Sequence, residues 1–441
     1  MAKAAKKDPA LTPEEKLAQA LVPESEQPYP VPENWCWVTL GNITQIIGGG
    51  TPSSGNPDYY GGSIPWISPA DLSNYNDMYI SKGAKNITEL GLEKSSARML
   101  PKNTVCLSSR APIGYVAIAA NPLSTNQGFK SFLPSASFLP QFLYWYLKGN
   151  RELLERRASG TTFLELSGSK AATIEFPIAP IPEQQRIVDR IESLFAKLDE
   201  AKEKAQAVVD GFEDRKAAIL HKAFTGELTG EWRKQNHIDN SKWEIKPLSS
   251  ITYNHDSKRI PLSKEERANL DRKYDYYGAS GVIDQVDRYL FDGKFLLIGE
   301  DGANLVTRSK PIAFIAEGQY WVNNHAHILS TTDEILMEFL CYYINSISLL
   351  PYVTGSAQPK MTQAKMNTIP IPVPTIKEQK EIVQVLNNLV DKMSQAMEAA
   401  EQVLDQIDAM KKSILARAFR GELGTNDPAD ESAEELLKRI L

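Results

Sequence analysis

The chain has 441 residues, 42% hydrophobic and 24% charged, which fits a soluble globular protein with room for two or three cores. A net charge of -6 argues against a chain that clamps nucleic-acid phosphates on a basic face of its own, and three widely separated cysteines, Cys36, Cys106 and Cys341, exclude a disulfide framework or a paired-cysteine zinc site. No apolar run approaches the roughly 18 residues of a membrane span, and the charged opening segment lacks a signal-peptide core, so a cytoplasmic protein without membrane contact is expected.

In chain order, residues 1–33 form a charged tail in which Thr12-Pro13-Glu14-Glu15 is a helix-start signal ahead of Leu17, Leu21 and Val22. Residues 34–180 read as a mixed α/β domain. Short β-rich runs such as Ser63 to Ser68, Thr104 to Leu107 and Tyr115 to Ala119 are separated by Gly, Asn, Ser and Pro clusters, and an aromatic helix, Phe142 to Leu154, closes the domain. Its candidate contact residues are Thr51, Ser53 and Ser54 in the Gly48–Gly55 loop, Ser108 and Arg110, and Asn126 and Gln127.

Residues 181–236 carry apolar side chains at alternating steps of four and three: Ile187, Ile191, Leu194, Leu198, Ala201, Ala205, Val208 and Phe212, with Arg215 breaking the series. That is the 3.5-residue seam of a coiled coil. Residues 237–375 form a second mixed α/β domain, with strands around Phe295 to Ile298 and Ile312 to Ala316 and an aromatic helix from Phe339 to Leu350. Its candidate contact residues are Lys258, Arg259, Tyr277, Ser280, Asn304, Asn324 and His325. Residues 376–423 repeat the seam without interruption as Ile382, Leu386, Leu389, Met393, Ala396, Ala400, Val403 and Ile407, continuing to Met410 and Ile414. Residues 424–441 are an acidic helix with Leu436, Leu437, Ile440 and Leu441.

The two helical regions are copies. Residues 183–228 align without a gap with 378–423, at a constant offset of 195 and with about 19 of 46 positions identical. A fainter echo opens each half, where Trp35, Leu40 and Ile43 correspond to Trp243, Leu248 and Ile251 at an offset of 208. The frame is duplicated and the intervening inserts have diverged. Each helix of about 40 residues would reach roughly 60 Å. An antiparallel pair sets Ala201 and Ala205 opposite Ala396 and Ala400, and places the inserts at opposite ends. The expected architecture is therefore α+β: two mixed α/β domains joined by two long helices in an antiparallel coiled coil, with pseudo-twofold internal duplication.

Arg, Lys, Asn, Gln and Ser are the side chains able to pair with base edges in a DNA groove, and loops on a rigid frame are where such readers sit. Composition alone does not separate a base-reading loop from a solvated turn. Residues 31–180 carry 12 basic and 10 acidic groups and residues 237–375 carry 14 and 16, so a DNA-binding reading requires phosphate contacts from partners. Catalytic motifs are absent. The Gly48–Gly55 loop lacks the lysine of a phosphate-binding loop. Asn56-Pro57-Asp58-Tyr59 departs from the Asn-Pro-Pro-Tyr strip of amino-methyltransferases at its third position and reads as a turn. His325-Ala326-His327 has no third ligand at usable spacing and reads as a polar loop rather than a metal site.

The duplicated frame resembles the specificity subunits of type I restriction-modification systems. The resemblance rests on Pro180-Ile181-Pro182-Glu183-Gln184 through Ile187-Val188, on Pro374 through Glu378-Gln379, and on the paired endings Lys222-Ala223-Phe224-Thr225-Gly226-Glu227-Leu228 and Arg417-Ala418-Phe419-Arg420-Gly421-Glu422-Leu423. It implies that each insert is a target-recognition domain reading half of a bipartite double-stranded DNA target. It implies as partners two adenine-methyltransferase (modification) subunits and translocase/endonuclease (restriction) subunits. This chain would be non-catalytic and bind no cofactor, with S-adenosylmethionine, ATP and magnesium held by the partners. The alternative is a bipartite DNA-binding scaffold of another system without methyltransferase partners.

Overall fold

A computed structural model describes residues 12–110, 112–160, 164–238, 243–355 and 358–441. The longer helices are α1 (Pro13–Ala20), α2 (Pro140–Gly149), α3 (Ile181–Asp210), α4 (Phe212–Phe224), α5 (Met337–Ser346), α6 (Ile376–Ala418) and α7 (Ala433–Ile440). The chain divides into two compact units, one comprising residues 1–203 and 403–441, the other residues 204–402.

In the first unit the strands are β1 (Cys36–Thr39), β2 (Ile46–Gly48), β3 (Tyr60–Ile67), β4 (Tyr79–Ile80), β5 (Lys85–Ile87), β6 (Val105–Ser109), β7 (Ile113–Ala119), β8 (Ser124–Thr125), β9 (Phe129–Phe132) and β10 (Glu175–Ile178). They form a five-stranded sheet in the order β2-β9-β6-β7-β4, a three-stranded sheet β5-β3-β8 and the two-stranded ribbon β1-β10. The central strand β6 is buried along its whole length, as expected of a strand paired on both edges and covered by α2. The helix expected over Phe142 to Leu154 is interrupted. Asn150 turns its side-chain amide back to the Tyr146 carbonyl (2.8 Å), and a new helical segment starts at Arg151.

The second unit contains β11 (Glu244–Pro247), β12 (Thr252–Asn254), β13 (Tyr274–Gly278), β14 (Gly281–Val286), β15 (Phe291–Asp292), β16 (Phe295–Gly299), β17 (Ala313–Ala316), β18 (Gln319–Val322), β19 (Ala326–Thr331) and β20 (Pro370–Val373). Its sheets run β12-β19-β16-β17 and β14-β13-β18-β15, beside the ribbon β11-β20. The two ribbons share one register: Trp37 lies opposite Pro177, and Ile245 opposite Pro372. The offset of 208 at the start of each half and that of 195 at its end thus meet in the same strand pair.

The duplicated motifs do the same mechanical job in both units. Gln184 accepts the Leu139 N–H (2.8 Å) and donates to the carbonyls of Ser137 (3.0 Å) and Ala179 (2.8 Å). Gln379 repeats this at Leu336 N–H (2.7 Å), Glu334 O (2.9 Å) and Pro374 O (2.8 Å). Each buried amide pins the loop before an aromatic helix to the start of a long helix, satisfying backbone groups that burial would otherwise leave unpaired. Phe419, from the end of the second repeat, packs on Phe142 and Tyr146 of the first unit (5.0 Å each). Phe224, from the end of the first repeat, packs on Phe339 (5.3 Å) and Tyr343 (5.1 Å) of the second.

The long helices are antiparallel within each unit. In the first, Lys411 near the end of α6 meets Asp199 (2.5 Å) and the Phe195 ring (5.1 Å) of α3; in the second, Leu220 of α4 shares a core with Leu386 of α6. Two expectations change. The first helical region breaks at Gly211, where Arg215 folds back to donate to the Ala207 and Val208 carbonyls, so α3 and α4 replace one helix. Glycine costs a helix interior about 1 kcal/mol relative to alanine, and the guanidinium adds to the Ala207 carbonyl, which still accepts the Gly211 N–H (3.2 Å), and reaches the Val208 carbonyl. The buried stripe of α6 also leaves the strict heptad. Ile382, Leu386, Ala400 and Ile407 are buried, but Ala396, Val403 and Met410 are exposed, with Met397 and Leu404 turned further inward. An α-helix of 3.6 residues per turn drifts by ~20° per heptad against a 3.5 repeat, which carries the strict seam off the contact face. In the first region Ile187, Ile191 and Ala205 are buried, while Leu194, Leu198, Ala201, Val208 and Phe212 are half-buried.

Candidate nucleic-acid interface

Three loops of the first unit come together although they lie far apart in sequence. Gly50 N–H donates to Thr125 O (2.9 Å), Gly49 N–H to Phe129 O (3.4 Å) and Ser109 N–H to Gly128 O (2.7 Å). Gly49 and Gly50 are required for this closeness, since a Cβ would sit 1.9 Å from Asn126 O at the first and 2.1 Å from Ala97 N at the second. The loop is then fixed from below by Trp66 Nε1 on Gly50 O (3.0 Å) and Tyr60 Oη on Pro52 O (2.7 Å). Thr51 bonds Gln127 across the two loops. Thr51, Ser53, Ser54 and Gln127 are exposed, and Arg110 is partly exposed, 3.9 Å from Glu165. Two expected contact residues are otherwise engaged. Ser108 is fully buried on β6, its hydroxyl donating to Pro112 O and accepting from Tyr115 N–H (both 2.8 Å), so it shapes the β6–β7 turn and is no surface residue. Asn126 spends its carbonyl on Gly128 N–H (2.8 Å) in a local turn. Lys130, which the sequence did not single out, reaches Ser109 Oγ (3.5 Å) and Glu165 (3.6 Å) below the loops.

In the second unit the candidate loops converge on one edge as well. Asn323 N–H donates to Tyr277 O (3.0 Å) and Glu300 N–H to His325 O (2.8 Å), while Gly299 lies so close to the Ala279 carbonyl that a Cβ would approach it to 2.7 Å. Lys258, Asn324 and His325 are exposed, and Ser280 is half-buried in the β13–β14 turn. His325 Nδ1 lies 2.8 Å from Asp301. Three expectations are corrected by packing. Tyr277 stacks on Phe314 (5.8 Å) and meets Tyr320 edge-on (5.3 Å), and burial raises its pKa, with help from the Asp275 charge. Asn304 closes its own turn through Lys310 N–H (3.0 Å) and Lys310 O (3.1 Å). Arg259 is turned inward, 14% exposed, with Nη1 on Glu300 Oε2 (2.6 Å), Ala326 O (2.8 Å) and Asn324 O (3.3 Å).

His327 is no loop residue: it is buried in β19, its Nδ1 2.6 Å from Asp256 Oδ2 and 3.7 Å from Glu300, its Nε2 2.9 Å from Met361 O. Asp256, Glu300 and His327 bring ligand-type atoms within 4.8 Å of one another. The side chains around them supply cations already, since Arg259 lies on both carboxylates and Lys360 on Glu300 (3.1 Å). Burial works to raise both carboxyls, but hydrogen bonds outweigh it and hold them below their ordinary range: for Asp256 from His327, the Ile328 N–H and Asn254, for Glu300 from Arg259 and Lys360. No sequence motif marks this cluster, because its members lie on four separate segments.

Two convergent loop sets on divergent inserts, each carried by a copy of one helical frame, define a protein built to present two different polar surfaces. The model of the type I restriction modification DNA specificity domain matches residues 32–209 and again 240–406. The chain belongs to that family. The MjaIX specificity subunit of Methanocaldococcus jannaschii is 43% identical over 182 residues, 41% of this chain and 42% of that protein. The EcoprrI specificity subunit of Escherichia coli is 22% identical over 369 residues, 80% of this chain and 86% of that one. The chain spans about two fifths of the length of the first curated relatives it matches, from 37% to 42%. The crystal structure of an HsdS subunit from Thermoanaerobacter tengcongensis shares the fold with a TM-score of 0.64 at 17% identity, covering 90% of this chain and all of that one. Among the described residues no helix is long and apolar enough to cross a membrane.

Proposed function

We propose that this chain is the DNA-reading subunit of a type I restriction-modification assembly, with each insert reading one half of a bipartite target. The observation that carries this is the pairing of a repeated frame with unlike loop sets: Gln184 and Gln379 anchor the same contacts, whereas the first unit presents Thr51, Ser53, Ser54 and Gln127 over the close crossing at Gly49 and Gly50, and the second presents Lys258, Asn324 and His325 over Arg259. A protein that reads two different sequences needs that combination of constant geometry and variable chemistry. The relatives are named as specificity subunits of restriction enzymes, which supports assigning catalysis to other chains. Adenine-methyltransferase subunits holding S-adenosylmethionine would dock on the frame, and restriction subunits using ATP and magnesium would join them, in the cytoplasm. Their basic surfaces would supply the phosphate contacts that a chain of net charge -6 lacks.

The test is an exchange of residues 44–159 for the corresponding insert of another family member, with the methylated sequence read out by methylation-sensitive sequencing. One half-site should change and the other stay the same. A change in both half-sites, or in neither, sinks the modular reading.

A further inference from the structure

A polar cluster of the second unit lies beneath the candidate loops and apart from the frame contacts of Gln379 and Glu378. We propose that Asp256, Arg259, Glu300 and His327, braced by the half-exposed Lys360, form a positioning cluster that sets second-half-site specificity from beneath the loops, the four buried members without touching DNA. This inference rests on the DNA-reading function proposed above.

The side chains of Asp256, Arg259, Glu300 and His327 are 8%, 14%, 10% and 1% exposed, so they face each other rather than solvent. Each joins a different segment. Asp256 follows β12 and accepts from Ile328 N–H (2.9 Å) as well as from His327. Arg259, three residues on, donates Nε–H to Asp256 O (3.1 Å) and Nη1–H to the carbonyls of Asn324 and Ala326, thereby clamping the segment that exposes Asn324 and His325. Glu300 joins β16 to the Asp301 turn, and its carbonyl accepts from Met361 N–H (2.7 Å), while Gly302 N–H reaches Pro359 O (3.0 Å). Lys360 closes the circuit on Glu300 from that last segment.

Every exposed candidate of this edge is thus within three residues of a member of the cluster: Lys258 is next to Arg259, and His325 and Asn324 are two and three residues from His327. Burying such charges costs several kcal/mol per ion before pairing, and apolar replacements often match buried ion networks in stability. Stability is therefore a poor reason for the cluster, whereas fixing loops to within a fraction of an ångström is a good one, because bidentate base contacts tolerate little displacement. The first unit holds its loops differently, through Gly49, Gly50, Trp66 and Tyr60. Disturbing the cluster should consequently affect one half-site alone.

The experiment uses the full chain assembled with its modification partners and three duplexes: the target identified by methylation-sensitive sequencing, and two carrying one substituted base pair in the first or the second half-site. With Glu300→Gln, which keeps the shape but weakens the grip on Arg259 and Lys360, discrimination against the second-half-site duplex should fall about tenfold. First-half-site discrimination should hold. In Arg259→Met the same loss is expected, with the dependence of binding on salt unchanged. Unaltered discrimination at the second half-site in the Glu300→Gln complex overturns the proposal, as does an equal loss at both. A salt slope lower by about one in Arg259→Met also overturns it, because that marks a phosphate contact. An unaltered complex that ignores both substitutions overturns the DNA-reading function itself, and this inference with it.

Discussion

Glu183 and Glu378 occupy equivalent positions in the repeat, and each carries a node of the frame. Glu378 receives Thr229 Oγ1–H (2.7 Å), Arg233 Nη1–H (2.5 Å) and Trp243 Nε1–H (3.2 Å), joining the end of the first repeat and the start of the second insert. Glu183 receives Asn426 N–H (2.9 Å), Thr425 Oγ1–H (3.0 Å) and Arg186, which also bonds Asp430. Removing either carboxylate takes several hydrogen bonds from the node. Glu378→Ala leaves Arg233, 15% exposed, without its carboxylate, with only the Gly226 carbonyl and the Thr229 hydroxyl as acceptors, and should destabilise the second unit by about 3 kcal/mol in chemical denaturation. For Glu183 there is also a pH signature. Burial works to raise its pKa, but the Asn426 N–H, Arg186 and Thr425 hold it below the ordinary carboxylate range. A carboxyl whose folded pKa is depressed contributes its full stability above the unfolded pKa and loses it as pH falls through the folded value. Peptides around residues 181–190 and 421–430 should therefore lose hydrogen-exchange protection, relative to the intrinsic rate at each pH, on acidification below that range. In Glu183→Gln exchange should be faster at neutral pH and less dependent on pH; an unchanged acid response would show that another group carries it.

At the scale of elements, the helical repeat was legible because apolar side chains at heptad spacing leave few other folds, but its fine register was not. A strict 3.5 seam places Val403 inside, whereas the structure leaves it 40% exposed and buries Ile407 at 2%. Ile407→Ala should accordingly cost about 2–5 kcal/mol in denaturant unfolding, while Val403→Ala should stay within about 0.5 kcal/mol. Equal costs would restore the heptad seam. The break at Gly211 was half-visible, since Arg215 interrupted the apolar series, yet only the fold shows that its guanidinium reaches back to the Ala207 and Val208 carbonyls. Within the inserts, strands such as Phe295–Gly299 were readable as apolar runs. Their neighbours in the sheets were not, because pairing such as β6 with β9 is set by contacts remote in sequence. The candidate loops were found by composition, which cannot distinguish Asn324, exposed, from Asn304, spent on its own turn. Arg259 was misjudged for the same reason: its acceptors at Glu300 and Ala326 lie 41 and 67 residues away.

The whole molecule follows from duplication in a way that makes the ends of the chain interpretable. If residues 229–242 connect the first repeat to the second insert, the matching connection from the second repeat to the first insert has to be made by the two tails. The first unit contains that junction. Trp35 Nε1–H donates to Asn426 Oδ1 (3.1 Å), as Trp243 does to Glu378, and Gly421 at φ +76° lies so close to Pro32 that a Cβ would meet its ring at 2.3 Å. Helix α1, started by the Thr12–Glu15 capping box, packs on α7, and Lys16 Nζ reaches the Leu441 carbonyl at 2.5 Å. Ala433 N–H donates to Asn34 O (3.0 Å), so the C-terminal helix is tied to the strand that opens the first insert. Joining residue 441 to residue 12 therefore asks for no rearrangement of the described contacts; residues 1–11 lie outside the described residues. Reopening the chain between Asn236 and Asn240, of which 239 and 240 also lie outside them, cuts after the Glu378 node has been made by Thr229 and Arg233 and before Trp243 completes it. On the function proposed above, the permuted chain should fold, assemble with modification partners and direct methylation to the same bipartite target, because every described frame contact and both loop sets survive. Methylation-sensitive sequencing with the permutant checks this. A soluble permutant that binds its partners but marks a different target, or none, would show that the natural order of the two halves matters to recognition, and would refute the reading of the tails as one split connection.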